Sequence, residues 1–220
     1  SAPVALGGRA VGPCCVAVIG VLFLAHDVRP MPGLALAHFG QMAGIPGGVL
    51  NVVTGRGPVV GQAMVKSKLT GMVTMTGSTR AGREIFRAGA DGLRVLRLEL
   101  GGKAPFIVME DADIDAAVAA AVTGRYTNCG QICTCNERMY LHRDVADEFL
   151  EKFVAKSKAL TIGDPMTNPD MGPKVSRAEV DKIADQVARS VAAGAEGLLP
   201  GCALTQTKYA HGHRTARQAA

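Results

Sequence analysis

Short apolar runs recur at Val49–Val53, Met72–Thr76 and Val95–Leu98, rich in β-branched residues or Met and separated by stretches of helical length. This alternation restricts the fold more than any other feature of the chain. Parallel strands cannot be joined by tight hairpins, so helical crossovers between strands imply a parallel sheet. Pro58 to Lys66 is expected to form one helix and Arg80 to Ala88 a second, each returning the chain to a parallel neighbour. The expected class is α/β, a parallel sheet with helices on its faces. Aromatic residues make up only 4% of the 220 residues and Trp is absent, so packing falls to aliphatic side chains, as such layers allow.

After Gly101-Gly102 the pattern restarts at Pro105–Met109. Asp113 is placed to cap a helix carrying Ile114, Ala117, Val118, Ala121 and Val122 on one face. A loop rich in Gly and Cys follows, then a strand at Met139–His142. Asp144 is expected to cap the next helix, with Val145, Phe149, Phe153 and Val154 inward and Lys152, Lys156 and Lys158 toward its C-terminal part, as the helix dipole prefers. Gly163-Asp164-Pro165 reads as a turn. Ser176 and Glu179 form a capping-box pattern for a helix with Val180, Ile183, Val187 and Val191 on its apolar side, stopped at Gly194. From Thr205 to Ala220 periodicity vanishes, and a polar, mobile tail is expected.

The net charge of +5 does not mark a nucleic-acid surface. Residues 1–30 carry +1 and residues 201–220 carry +3, so only +1 falls on the long middle stretch. No cluster of Lys and Arg with stacking aromatics is visible. The apolar run Cys14–Ala25, preceded by Arg9, is too short to span a bilayer and reads as a buried strand. Six cysteines, at 14, 15, 129, 133, 135 and 202, form no regular disulfide framework, which suits a reduced, cytoplasmic compartment.

Three segments have chemistry within reach. At Met75-Thr76-Gly77-Ser78-Thr79-Arg80-Ala81-Gly82 a strand enters a helix through small residues, where free amides can receive a pyrophosphate. At Leu98-Glu99-Leu100-Gly101-Gly102-Lys103 a carboxylate ends an apolar strand; partial burial there would raise its pKa and suit it to proton abstraction. At Asn128-Cys129-Gly130-Gln131-Ile132-Cys133-Thr134-Cys135 a thiol on a loop is exposed enough to attack a carbonyl, with nearby amides to receive the oxyanion. The C-x₃-C-x-C spacing lacks the paired C-x₂-C of structural zinc sites, so no metal is assigned. Inert buried thiols, or a redox switch using Cys129, Cys133 and Cys135, are alternatives that need no cofactor.

In this order the three segments resemble the aldehyde dehydrogenase superfamily, whose members carry a Gly-Ser-Thr turn, then Glu-Leu-Gly-Gly-Lys, then Asn-x-Gly-Gln-x-Cys. Ile45–Val53, Glu110–Asp113 and Met171-Gly172-Pro173 are similar as well, and the likeness runs from about Gly33 to Gly194. The resemblance implies that Cys133 attacks an aldehyde, that Glu99 is the general base, and that Gly77, Ser78, Thr79, Gly82 and Leu100 belong to a site for NAD, with NADP open. It implies a small aldehyde as substrate and, as in the family, a homo-oligomer. Cys133 to Arg138 looks most like bacterial lactaldehyde and glycolaldehyde dehydrogenases, which act on short 2-hydroxyaldehydes.

The implied architecture is an aldehyde dehydrogenase-like fold truncated at both ends. It comprises the C-terminal part of a Rossmann-like NAD-binding domain (1–99), the N-terminal part of an α/β catalytic domain (100–200) and a disordered tail (201–220). Family members are more than twice as long. The segment bearing a Pro-Trp-Asn oxyanion residue and the distal Glu-x-Phe-Gly-Pro segment have no counterpart here. Where the family's Lys-Pro-Ser-Glu segment should fall, this chain has Leu24-Ala25-His26-Asp27. Basic, unpatterned ends suggest a truncated or frame-shifted product, and the alternative function is a non-catalytic remnant.

Overall fold

The computed structural model describes residues 19–27, 30–199 and 216–218. Arg9, Cys14, Cys15, Cys202 and most of the basic tail lie outside the described residues. The chain divides into two compact units, 1–100 and 101–220.

In the first unit, β1 (Val21–Ala25) pairs in parallel with β2 (Leu50–Thr54), and α1 (Met31–Met42) connects them. Helix α1 lies outside the sequence pattern described above. It starts where Pro30 and Pro32 fix φ and remove donors that a first turn does not need. Gly33 lets it sit on the strands, because a Cβ there would stand 2.6 Å from that of Ala25. Ala25 is buried, as expected for the end of the apolar run, yet Leu22 is exposed. A π-turn at Gly57–Gly61 leads into α2 (Gln62–Lys66), then β3 (Met72–Thr76), α3 (Thr79–Ala90) and β4 (Val95–Glu99). Strands β3 and β4 pair in parallel over their full length.

The expectation of a parallel crossover holds for α3 and fails for the Pro58–Lys66 stretch. The latter joins β2 to β3, which belong to different hydrogen-bonded pairs. Its five-residue helix and π-turn are compact, and β2 is already partnered by β1. The observed α/β architecture is therefore a set of two-stranded ladders rather than one continuous sheet.

In the second unit, β5 (Ala104–Val108) pairs in parallel with β6 (Asn136–Leu141), connected by α4 (Ile114–Tyr126) and the Cys-containing loop. Asp113 caps α4, its Oδ1 accepting from the Ala116 amide at 3.0 Å. Helix α5 (Arg143–Ala159) packs on α4 and supplies Phe149 and Phe153, stacked with centroids 5.9 Å apart. With Val108, Val118, Ala121 and Met171 they form the core. Helix α5 is capped by His142, not Asp144. The β5–β6 ladder runs on until the His142 amide donates to Val108 O at 2.8 Å, which keeps His142 extended and leaves Asp144 inside the first turn.

Ser176 caps α6 (Arg177–Ala192), accepting from the Glu179 amide, and Gly194 follows its end with φ +96°. The expected apolar face of α6 is not covered: Val180, Ile183 and Val187 are half-buried and Val191 is exposed. The tail also departs from expectation where it is described, since β8 (Ala216–Gln218) pairs antiparallel with β7 (Ala195–Gly197).

Candidate active site

The thiol loop is set up by the end of α4. Tyr126 is buried and stacks on Phe153, which fixes where the helix stops. The backbone then turns left-handed at three successive residues, Asn128 (φ 51°), Cys129 (φ 57°) and Gly130 (φ 69°). For the two non-glycine residues this conformation costs about 1–2 kcal/mol each, so the turn needs outside support. That support comes from residues 172–175. The Cys129 thiol donates to Gly172 O at 2.8 Å, the Lys174 ammonium donates to Cys129 O at 2.8 Å, and Gln131 Oε1 accepts from the Val175 amide at 2.9 Å. Gln131 Nε2 also donates to Asn128 O at 3.0 Å, tying the loop to itself.

Cys129 and Cys135 are buried, and Cys133 is exposed between them. The amides of Gln131 and Cys135 are spent within the loop, on Asn128 O and Ile132 O. Among the described residues nothing accepts from the Cys133 amide. One accessible thiol thus lies beside its own uncommitted N–H, the pairing that carbonyl addition requires. At the loop's far end Asn136 is buried and donates to Ala121 O at 3.2 Å, anchoring the start of β6 on α4.

In the first unit, Gly77, Ser78 and Thr79 are all exposed at the entry to α3. The Gly77 amide is used, donating to Glu99 O at 2.9 Å as the last rung beside β4. Ser78 is the N-cap, its Oγ accepting from Ala81 N at 3.2 Å. The first turn of α3 carries no acid, and the amides at its head have no acceptor within the helix. An anion fits there. Gly82 and Leu100, placed with this site on the family pattern, lie against each other, and a Cβ on Gly82 would come within 2.7 Å of Leu100 Cδ2.

Glu99 closes β4 and is exposed. Alternation explains this: Leu96 and Leu98 take the half-buried face of β4, so Glu99 falls on the open face with Val95 and Arg97. In the second unit, Lys103 has φ 50° and its carbonyl receives both Arg138 Nε and Nη2, at 3.1 and 2.8 Å.

Lys174 was not singled out from the sequence. It is half-buried, and desolvation is the main cause that holds its pKa below the usual lysine value, with Arg125 adding to the effect and Cys129, Glu179 and Cys135 opposing it. Only the neighbouring Met171-Gly172-Pro173 hinted at its region. Among the described residues no group of His, Cys, Asp or Glu is arranged to hold a metal ion, and no helix is long and apolar enough to cross a membrane.

The aldehyde dehydrogenase family model matches residues 1–215. The chain belongs to the aldehyde dehydrogenase family. It is 46% identical over 211 residues to 3,6-anhydro-α-L-galactose dehydrogenase of a Vibrio species, covering 96% of this chain and 44% of that protein. It is 36% identical over 209 residues to lactaldehyde dehydrogenase of Escherichia coli, covering 94% of this chain and 44% of the relative. A solved structure of PnpE in complex with nicotinamide adenine dinucleotide superposes with a TM-score of 0.83 at 36% identity, covering 86% of this chain and 39% of that one. The chain therefore spans less than half the length of these relatives. The match to residues 1–215 corrects the expectation that family likeness fades outside Gly33–Gly194.

Proposed function

We propose that this chain carries the nucleophile and part of the cofactor site of an enzyme that oxidises aldehydes to carboxylic acids. The observation that carries the reading is the exposed Cys133 thiol beside its own uncommitted amide, on a braced loop between α4 and β6.

The Cys133 thiolate adds to the aldehyde carbon. A C–S bond forms and the carbonyl π pair moves to oxygen, where the Cys133 N–H receives the charge. A nicotinamide dinucleotide, when bound, would supply the oxidant for the hydride that leaves that carbon. The adduct becomes a thioester. Glu99, assigned as general base on the family pattern, takes a proton from water as the water oxygen bonds to the acyl carbon, and the C–S bond breaks to return the thiolate. Over the cycle, aldehyde, water and the oxidised cofactor give carboxylate, the reduced cofactor and two protons.

The exposed Gly77-Ser78-Thr79 turn would hold the cofactor's diphosphate, since amides at the head of the twelve-residue α3 favour an anion and no acid stands in its first turn. Gly82 and Leu100 would belong to the same cofactor site, and their packing on one another would support that turn. We assign the substrate as a hydroxylated aldehyde, with short 2-hydroxyaldehydes such as lactaldehyde or glycolaldehyde the first to try. The names of the similar proteins, which act on anhydrogalactose and lactaldehyde, support that class. The test is a substrate panel of 2-hydroxyaldehydes against their 2-deoxy counterparts: the assignment expects higher kcat/KM for the hydroxylated members, and equal rates would refute it.

A further inference from the structure

We propose that Lys174 is a positioning residue for Cys133: its ammonium, seated on the Cys129 carbonyl, holds the left-handed turn from which the thiol-bearing loop projects. The inference rests on the reading of Cys133 as nucleophile.

Lys174 stands 45 positions beyond Cys129 in the chain, and its Nζ reaches Cys129 O at 2.8 Å. The carbonyl it holds belongs to a residue with φ 57°, a conformation that a non-glycine residue keeps only when its surroundings over-determine it. Two further bonds from the same strap, Cys129 Sγ to Gly172 O and Val175 N to Gln131 Oε1, close on the same turn. Among the described residues no carboxylate lies within ion-pair distance of Lys174. Its charge is directed at the backbone of the loop, not at an acid. Burial lowers the pKa of Lys174, so the hydrogen bond to Cys129 O is made by a cation half-withdrawn from water. Cys133 lies four residues beyond the held carbonyl, too close for its position to be independent of the turn.

The chain is treated with iodoacetamide and alkylation of each cysteine is followed by peptide mass spectrometry, for wild type, Lys174→Met, Lys174→Arg and Gln131→Leu. Wild type should label Cys133 and protect the buried Cys129. Lys174→Met keeps the apolar stem and loses the donor, so the Cys129-to-Cys133 labelling ratio should rise at least tenfold with little change in thermal midpoint. Lys174→Arg should restore the wild-type ratio, and Gln131→Leu, which cuts the bond from Val175 N together with the bond to Asn128 O, should raise it. Unchanged protection of Cys129 in Lys174→Met, or equal loss of protection in the Met and Arg variants, would overturn the proposal. Where aldehyde oxidation is measurable, Lys174→Met should lower kcat several-fold at nearly constant KM. A chain that oxidises no aldehyde would sink the proposed function yet leave the labelling ratio to decide on the brace.

Discussion

Gly82 and Leu100 claim the same space, with the missing Cβ of Gly82 falling 2.7 Å from Leu100 Cδ2 and 3.0 Å from its Cδ1. The contact seats α3 against the end of β4 and so sets where the Gly77-Ser78-Thr79 turn stands. Two effects oppose each other in Gly82→Ala. Alanine favours a helix over glycine by about 1 kcal/mol, while forcing an extra methyl into a filled site costs about 1–3 kcal/mol. Overpacking wins, and urea denaturation should show a net loss of about 1 kcal/mol. In a Leu100→Ala background the clash is gone and the same change should stabilise. A destabilising Gly82→Ala in both backgrounds would mean that the glycine is needed for another reason.

The cap of α4 offers a cleaner number. Asp113 is exposed and its carboxylate accepts from Ala116 N at 3.0 Å, so Asp113→Ala should cost about 1 kcal/mol by urea denaturation, with an unchanged m-value. Asp113→Ser should recover most of it.

Phe149 is fully buried and stacks on Phe153 at the centre of the second unit. Phe149→Ala removes a ring from a packed core and should cost about 3–5 kcal/mol, read from the same denaturation curves. A cost below about 1 kcal/mol would place the core elsewhere.

Asp170 supplies a pH signature. Its Oδ2 accepts from Thr161 Oγ1 at 2.7 Å and Thr161 N at 2.8 Å, and the side-chain bond to Thr161 is the largest cause holding its pKa below the ordinary 3.8. A depressed folded-state pKa contributes stability that is present above the unfolded value and lost as pH falls through the folded one. The gap in urea midpoint between wild type and Asp170→Asn should therefore be open above pH 3.8 and close as the pH drops below it. A gap that widens on acidification would contradict the assignment.

What could be read in the sequence was what local chemistry decides. Met72–Thr76 matched its strand, and Asp113 and Ser176 matched their caps, because a short polar side chain at a helix start is a local requirement. What local chemistry does not decide went astray. Asp144 looked as good a cap as Asp113, but the length of the β5–β6 ladder placed the cap at His142. Partner choice escaped the pattern in the same way, so β2 was expected beside β3. In the candidate site, the exposure of the Cys133 thiol on its loop was legible from the motif. The brace from Gly172, Lys174 and Val175 was not, since bonds spanning more than forty residues leave no periodic trace. Whether Glu99 is exposed or partly buried was left open, because it depends on which face of β4 is covered.

The central claim is that Cys133 is the thiol that forms a covalent bond with an aldehyde. The most direct measurement incubates the chain with NAD and a short 2-hydroxyaldehyde and follows formation of reduced cofactor, comparing wild type with Cys133→Ala. Wild type should produce reduced cofactor in proportion to enzyme, and Cys133→Ala should produce none above the uncatalysed rate. Equal rates in the two proteins, whether both active or both silent, would contradict the account.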